Sequence, residues 1–481
     1  MRSAYGVAAV RAAEQALMAR VPDGALMQRA AAGLARRCAA LLGSVYGARV
    51  LLLVGGGDNG GDALYAGARL AARGARVEAV LLSDRHHRDG LAALMREGGR
   101  VADSDLTELI ARAGLVIDGI TGIGGSGGLR GSAADAARAL AGTAAIVVAV
   151  DVPSGVDADT GEVEGVCVSA DVTVTFGALK PGLLLAPGHQ HAGLVELVDI
   201  GLGPCLAGDP VLLLTDAEDV DAAVPRPAWD AHKYTRGVVG VVAGSEAYAG
   251  AAVLAVGGAV AAGAGMVRFV GPAGVADAVR AQWPEAVVEP GDGGAAGVKG
   301  AGRVQAWVIG PGLGPDQSDA VAAVLDSALP VVVDADAIAS LAEHGGHAGV
   351  LVTPHAGELA RALGVERTEV EARRLRYAAQ AAERWHCSVL LKGSTTVVTT
   401  AGEPARVSST APPWVATAGA GDVLAGACGA LLAAGLPPAA AGTTGAFLHG
   451  LSAAVAADGD APLHAMDLVR HWPDAVRAVR G

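Results

Sequence analysis

Val54-Gly-Gly-Gly-Asp-Asn-Gly-Gly-Asp62 and Thr417-Ala-Gly-Ala-Gly-Asp422 are two glycine loops in one chain, each read as following a hydrophobic strand and opening a helix. Glycine lets a backbone come close to an anion, and a helix N-terminus adds free N–H groups and the positive end of its dipole. Two such loops in different surroundings predict two sites for nucleotide-like ligands.

Outward from the first loop, short β-branched runs alternate with Ala- and Arg-rich stretches. Arg49–Val54, Val77–Leu82, Leu115–Ile120, Ala145–Val150, Val172–Phe176 and Leu194–Ile200 are strand candidates; Gly61–Arg73, His87–Glu97 and Ala133–Leu140 are helix candidates. That alternation predicts an α/β fold, a parallel sheet with helices on both faces. Pro and Gly punctuation from Cys205 to Ala231 marks a connection. A second series comes after it: Gly237–Ala243, Val267–Val270, Ala306–Ile309, Pro330–Val333, Val350–Val352 and Val389–Leu391, with a helical tail beginning at the second glycine loop. The expected organisation is a domain over 1–207, a connection over 208–230 and a second α/β domain over 231–481. The Ala and Gly richness is global and reads as a compositional bias without local meaning.

The formal net charge of −13 argues against a nucleic-acid binder. Phosphate ligands would then depend on backbone N–H groups, helix ends and metal ions. Five scattered cysteines without a CxxC pair fit reduced thiols and a cytoplasmic protein. The stretch 247–267 is uncharged but is mostly Ala and Gly, which reads as a buried helix and not a membrane span. The expected partners are small molecules, and the small-residue helices suggest a homo-oligomer.

Chemistry narrows the candidates. Asp422, at the start of the helix after Gly419-Ala-Gly421, is either a helix N-cap or a general base placed to meet an attacking hydroxyl. Gly310-Pro-Gly-Leu-Gly314, Asp334-Ala-Asp336, Thr353-Pro-His-Ala-Gly-Glu358 and Lys392-Gly-Ser-Thr-Thr396 each follow a strand candidate, as at the carboxyl edge of a sheet. In the first half, Asn59, Asp118 and Ser154 offer hard oxygen ligands for an alkali or alkaline-earth ion. Asp151 is either an acid/base or a structural strand-end carboxylate.

The second half resembles the ribokinase-type kinases in its Gly-Ala-Gly-Asp loop. More narrowly, residues 225–478 resemble the ADP- or ATP-dependent NAD(P)H-hydrate dehydratases, through His232-Lys233, Gly244-Ser245, Tyr248-Ala-Gly-Ala-Ala252 and the strand-end loops above. Residues 1–205 resemble the NAD(P)H-hydrate epimerases, through the first glycine loop, Asp118-Gly-Ile-Thr-Gly-Ile-Gly-Gly-Ser-Gly-Gly128, Asp151-Val-Pro-Ser-Gly155 and Gly177-Ala-Leu-Lys-Pro-Gly182. The resemblance implies a Rossmann-like three-layer sandwich followed by a ribokinase-like α/β domain, in a bifunctional repair enzyme. Its first half would interconvert R and S hydrates and its second would dehydrate the S form.

For the epimerase half the resemblance implies hydrate binding by Asp58, Asn59, Gly60, Gly61, Asp62, Gly122, Ile123, Gly124, Gly125, Ser126, Gly127, Gly128 and Asp151. It implies K+ on Asn59, Asp118 and Ser154. For the dehydratase half it implies hydrate contacts from Ala251, Gly312, His355 and Asp422, nucleotide contacts from Lys392, Gly393, Ser394, Thr395, Thr396 and Gly421, and Mg2+ with ADP or ATP. Asp422 and Asp151 are the implied catalytic residues. Two positions depart from the epimerase pattern Asn-Asn-Gly-Gly-Asp-Gly, Asp58 and Ala63, and Ala420 stands where the dehydratases have Thr. The alternative reading is a sugar or vitamin kinase with a nucleotide-binding, non-catalytic first domain.

Overall fold

The computed structural model describes residues 1–481 except Ser126, Gly291, Asp292, Pro315 and Asp316. Ser126 of the expected hydrate loop therefore lies outside the described residues. The chain divides into a first unit, Ser3–Leu212, and a second, Leu213–Gly481 with Met1–Arg2. The boundaries cut two three-residue strands, β1 (Arg2–Ala4) and β9 (Leu212–Leu214). Within the stretch expected as a connection, the helix Ala217–Ala223 is closed by an Asp216–Asp219 capping box, and Val220 packs with Phe447 and Trp472 of the second unit.

The first unit carries a 7-stranded sheet of order β4-β3-β2-β5-β6-β7-β8. Its strands are β2 (Arg49–Val54), β3 (Arg76–Leu81), β4 (Arg100–Val101), β5 (Leu115–Gly119), β6 (Ile146–Val150), β7 (Val172–Phe176) and β8 (Leu194–Val198). All of these pairings are parallel. β2 shows why: it is buried on both faces. Val50, Leu52 and Val54 face the core under the helices Ala25–Leu42 and Asp58–Ala71, whereas Leu51 and Leu53 face the core formed with Leu109 and Ala136. A period of two thus feeds two layers of helices, which is the three-layer α/β arrangement. The chain reverses direction across the sheet between β2 and β5, the crevice where such folds bind ligands.

The second unit repeats the logic. Its strands are β10 (Val238–Val242), β11 (Met266–Gly271), β12 (Val287–Pro290), β13 (Ala306–Ile309), β14 (Val331–Val333), β15 (Val350–Val352), β16 (Ser388–Leu391), β17 (Thr396–Thr400) and β18 (Ala405–Ser408). They run β18-β17-β16-β15-β14-β13-β10-β11-β12. The sheet is parallel up to β16, and β16, β17 and β18 then pair antiparallel. The switch point lies between β10 and β13. The uncharged stretch 247–267 splits into the helix Ala249–Ala261 and the start of β11, and no described helix is long and apolar enough to cross a membrane.

Two expectations need correction. The second glycine loop follows a single turn, Pro413–Val415, and not a strand; prolines 412 and 413 withhold the N–H groups a strand would need. The Ala and Gly richness also has local meaning. A Cβ on Gly258 would stand 2.1 Å from Val423 O, and one on Gly426 would stand 1.9 Å from Ala255 O. The helices Ala249–Ala261 and Ala420–Ala433 meet backbone to backbone, and only glycine permits that approach. The contact reaches Val423, the residue after Asp422.

Candidate functional site

In the first unit the glycine loop is built for closeness. A Cβ on Gly55 would be 1.8 Å from Ile120 O, and one on Gly60 would be 2.4 Å from Gly55 O. The helix therefore starts at Asp58, earlier than the expected Gly61, and Asn59 lies in its first turn. Asn59 Nδ2 donates to Thr121 O at 3.0 Å and to Val150 O at 2.6 Å, and a Cβ on Gly122 would collide with Asn59 Oδ1 at 2.2 Å. Ala63 is buried, with its methyl 2.7 Å from where a Cβ on Gly119 would stand. Gly119 thus leaves the space that Ala63 fills.

Asn59, Asp118 and Ser154 come together around Thr121. Ser154 Oγ donates to Asp118 Oδ1 at 2.6 Å and lies 3.1 Å from Thr121 O, and Ser154 N donates to Asp118 Oδ2 at 2.9 Å. Asp118 is completely buried. Burial pushes its carboxyl up to about 6, although hydrogen bonds from Ser154 and Ile120 N hold it down in part. The donors here are carboxylate, hydroxyl, amide and carbonyl groups, the chemistry a hard cation takes.

Asp151 sits at the end of β6 with φ +67, a conformation a non-glycine residue adopts only under local constraint. The constraint is visible. Its Oδ1 accepts from Lys180 Nζ at 2.5 Å, Thr175 Oγ1 at 3.0 Å and Phe176 N at 3.1 Å. Lys180 is 1% exposed and spends its other donors on Thr175 Oγ1 and Phe176 O. Sequence reasoning assigns Lys180 no role although its motif is part of the resemblance, and only the fold shows it buried against Asp151.

Asp62 is buried as well, and its Oδ1 has no hydrogen-bond partner. Its carboxyl lies well above the usual range, by burial first and then by the charges of Asp151, Asp58 and Glu14. Asp58 is exposed in the first helical turn. Gly122, Ile123, Gly124 and Gly125 follow β5, and a Cβ on Gly128 would strike Glu164 O at 1.8 Å. Gly127 has φ +73.

In the second unit the strand ends form one ring. Gly310 has φ +119, and a Cβ there would meet Asp334 O at 1.8 Å. Gly312 abuts Ala251: a Cβ on it would lie 2.7 Å from the Ala251 methyl. Lys392 Nζ donates to Asp334 Oδ1 at 2.8 Å, and Glu358 Oε2 stands 3.9 Å away. The same ammonium is 3.1 Å from where a Cβ on Gly421 would be, so it lies against the second glycine loop. Burial lowers the Lys392 pKa, but Asp334, Glu358 and Asp422 outweigh it, and the net shift is upward.

Asp422 lies in the first turn of Ala420–Ala433, with Gly419 at φ +87 as the cap. The N-cap is Gly419 and Asp422 is the third residue of the helix, so Asp422 is not its N-cap. Burial pushes its carboxyl up to about 7, helped by the charges of Asp334, Glu358 and Asp336 and opposed by Lys392. His355 does cap a helix: its Nδ1 accepts from Gly357 N and Glu358 N, and its own backbone N donates to Glu358 Oε2. Its Nε2 stands 3.4 Å from Glu358 Oε1.

Two residues beneath the loops escape sequence reasoning. Arg374 is buried and donates to Leu391 O at 3.2 Å and Lys392 O at 2.7 Å, and Gly393 is packed on its guanidinium. His449 is buried with Nε2 2.9 Å from Ala420 O, and burial takes its pKa down to about 4, so the ring is neutral. Both come from helices whose patterns read as ordinary packing. The only signal in the sequence is a single charged or imidazole residue on an otherwise buried face. Ser394 and Thr395 continue the turn from Lys392, and Thr396 opens β17.

Among the described residues no three His, Cys, Asp or Glu side chains converge as a ready metal cage. The carboxylates whose charges reach Asp422 are Asp334, Glu358 and Asp336, oxygen donors of the kind a magnesium ion held with nucleotide phosphates would use.

These geometries match known families. Residues 239–473 match the model described as NAD(P)H-hydrate dehydratase, and residues 23–182 match the model described as YjeF-related protein N-terminus. A bifunctional NAD(P)H-hydrate repair enzyme of Mycobacterium tuberculosis H37Rv is 48% identical over 449 residues, spanning 91% of this chain and 90% of that protein. Its Mycobacterium leprae counterpart is 46% identical over 495 residues, spanning 100% of both. Among solved structures, the Bacillus subtilis ADP/ATP-dependent NAD(P)H-hydrate dehydratase co-crystallised with ATP/Mg2+ is 29% identical, with a TM-score of 0.51 over 56% of this chain and 98% of that one. The second unit thus has the ribokinase-like dehydratase fold, and the chain belongs to the family of bifunctional NAD(P)H-hydrate repair enzymes.

Proposed function

We propose that this chain repairs NADH and NADPH that have gained water across a ring double bond. The first unit interconverts the R and S hydrates. The second dehydrates the S form with ADP or ATP, releasing NAD(P)H, AMP or ADP, and phosphate. The observation that carries the reading is the meeting of Asp422, Lys392 and Gly421 at the carboxyl ends of the second sheet's parallel strands, because phosphoryl transfer needs a base, a fixed cation and an N–H cradle at one place.

Asp422 takes the proton from the ring hydroxyl as its oxygen attacks the terminal phosphoryl group. The N–H groups at Gly419–Gly421 and the Lys392 ammonium hold the transferring charge. The ring-nitrogen lone pair then expels the phosphate ester, which leaves far more readily than hydroxide. Asp334 positions Lys392, and Arg374 holds the Lys392–Thr396 turn beneath the nucleotide. Ala251, Gly312 and His355 border the hydrated ring. Bound Mg2+ supplies shielding of the phosphate charges.

In the first unit Asp151 is the acid/base at the hydroxylated carbon. Asp58–Asp62 and Gly122–Gly128 hold the dinucleotide, and the oxygen donors of Asn59, Asp118 and Ser154 suit K+. Scattered cysteines favour a reducing, cytoplasmic setting, and the Ala- and Gly-rich helices favour a homo-oligomer.

The rival is a kinase that leaves a phosphorylated product. Phosphorus NMR of a reaction with S-hydrate and ADP or ATP separates the two. Free phosphate appearing in step with NAD(P)H supports the repair reading, and a persistent phosphate ester would refute it.

A further inference from the structure

Epimerisation by the first unit needs an acid as well as the base Asp151, and the inference rests on that reading of the unit. At a carbon carrying both a hydroxyl and the ring nitrogen, the nitrogen lone pair can break the C–O bond, but the oxygen leaves well only when it is protonated. We propose that Asp62 is the catalytic acid that works with Asp151, and that Lys180 is the positioning residue that keeps Asp151 available as the base.

Two buried carboxyls of this unit have opposite surroundings. Asp151 Oδ1 receives three donors, from Lys180 Nζ, Thr175 Oγ1 and Phe176 N. Those bonds stabilise the carboxylate. Lys180 in turn has all its donors engaged by Asp151, Thr175 and Phe176 O, so it is held in place and cannot swing to a substrate. Asp62 receives nothing at Oδ1, which is buried without a partner. A buried carboxyl in that state keeps its proton. The charged groups acting on it agree: Asp151 from the end of β6, Asp58 from its own helix and Glu14 from the helix Val7–Met18 are all acidic. The His87 ring lies beside Gly61, and Lys180 and Arg11 act on Glu14. Two neighbouring carboxyls in such different surroundings mark acid and base assignments.

The step balances. Asp62 gives its proton to the hydroxyl oxygen as the ring-nitrogen lone pair breaks the C–O bond, leaving water, a C=N bond and the Asp62 carboxylate. Water adds to the other face of that carbon and yields a proton to Asp151 as the C=N electrons return to nitrogen. One proton has passed from Asp62 to Asp151. Turnover in the reverse direction starts from that state, and exchange with solvent resets it.

The test is the enzymatic epimerisation of R-hydrate by the full chain. It is followed as reduced nicotinamide formed by the chain's own second unit, with the spontaneous rate subtracted. D62N replaces the acid by an isostere without that proton. The expected result is a fall in kcat of about 100-fold or more with KM little changed, and loss of the alkaline limb of the pH–rate profile. K180M is expected to lower kcat with KM little changed, and K180R to restore part of it, which a merely structural role would not do. Calorimetry at the assay temperature reports that the first unit of each variant is folded, and dehydration of pure S-hydrate reports that the coupling second unit is intact. D62N within about threefold of wild type, or with its alkaline limb intact, overturns the proposal. Wild type no faster than spontaneous epimerisation overturns the reading beneath it, and the proposal with it.

Discussion

Lys180→Met is the perturbation whose size comes most directly from the structure. Methionine keeps the length and apolar stem of lysine but removes the ammonium. Asp151, 6% exposed, then loses its charge partner and one of its three donors. Breaking a buried pair from one side typically costs about 3–5 kcal/mol, because the remaining charge is stranded in a low dielectric. For a unit of this size about 1 kcal/mol moves the melting temperature by roughly 2–4 °C, so the first unit should melt about 6–20 °C lower.

The chain allows the two units to be watched separately. All 6 tryptophans, from Trp229 to Trp472, lie in the second unit. Tryptophan fluorescence therefore reports the second unit, whereas calorimetry and far-UV circular dichroism report both. The expected result is a calorimetric transition displaced by that amount with the fluorescence transition unmoved. D151N combined with K180M should recover most of the loss, since no charge is then stranded. A K180M shift below about 2 °C, or a double variant no better than the single, would refute the reasoning that the pair is buried and mutually dependent.

Other outcomes rest on the same kind of contact. Asp422→Asn should lower dehydration by about 10²–10⁴-fold while a fluorescent nucleotide still binds. A base raised to about 7 by burial is ionised only above that pH, so kcat/KM of the dehydratase should climb through about 7 and level off. Activity flat from pH 5 to 8 would contradict the assignment. Gly426→Ala should lower the fluorescence-monitored stability by about 1–3 kcal/mol, because its Cβ would stand 1.9 Å from Ala255 O; an unchanged transition would mean that the helices are not in that contact. Replacing K+ by a large organic cation should lower the melting temperature of the first unit, and Asp118→Ala should abolish the difference between the two salts.

Much of the architecture is legible because parallel strands buried on both faces read as plain β-branched runs, as at Val50–Val54 and Val331–Val333. Strand ends carrying glycine or carboxylate locate both switch points. The hidden features depend on tertiary neighbours. β4 has two residues and β12 ends in proline, too little for a pattern to show. The β17–β18 hairpin mixes valine with threonine, serine and arginine over two short strands, so it shows no clean alternation. Arg374 and His449 look ordinary in sequence, and Lys180 stands in a motif that gives it no role, since only packing removes their water and supplies their partners. The Gly258 and Gly426 contacts are invisible for another reason: a glycine needed for close approach cannot be told from one of many in an Ala- and Gly-rich chain. His355 shows the converse, a conspicuous motif residue whose visible work in the structure is to cap a helix.

The most direct test of the account is recovery of reduced-nicotinamide absorbance from an R/S mixture of hydrated NADH, given Mg2+, K+ and either ADP or ATP. The account predicts full recovery of both epimers, with the R fraction converting faster than spontaneous epimerisation allows. Recovery of the S fraction alone would contradict an active first unit, and no recovery with either nucleotide would contradict the repair function itself.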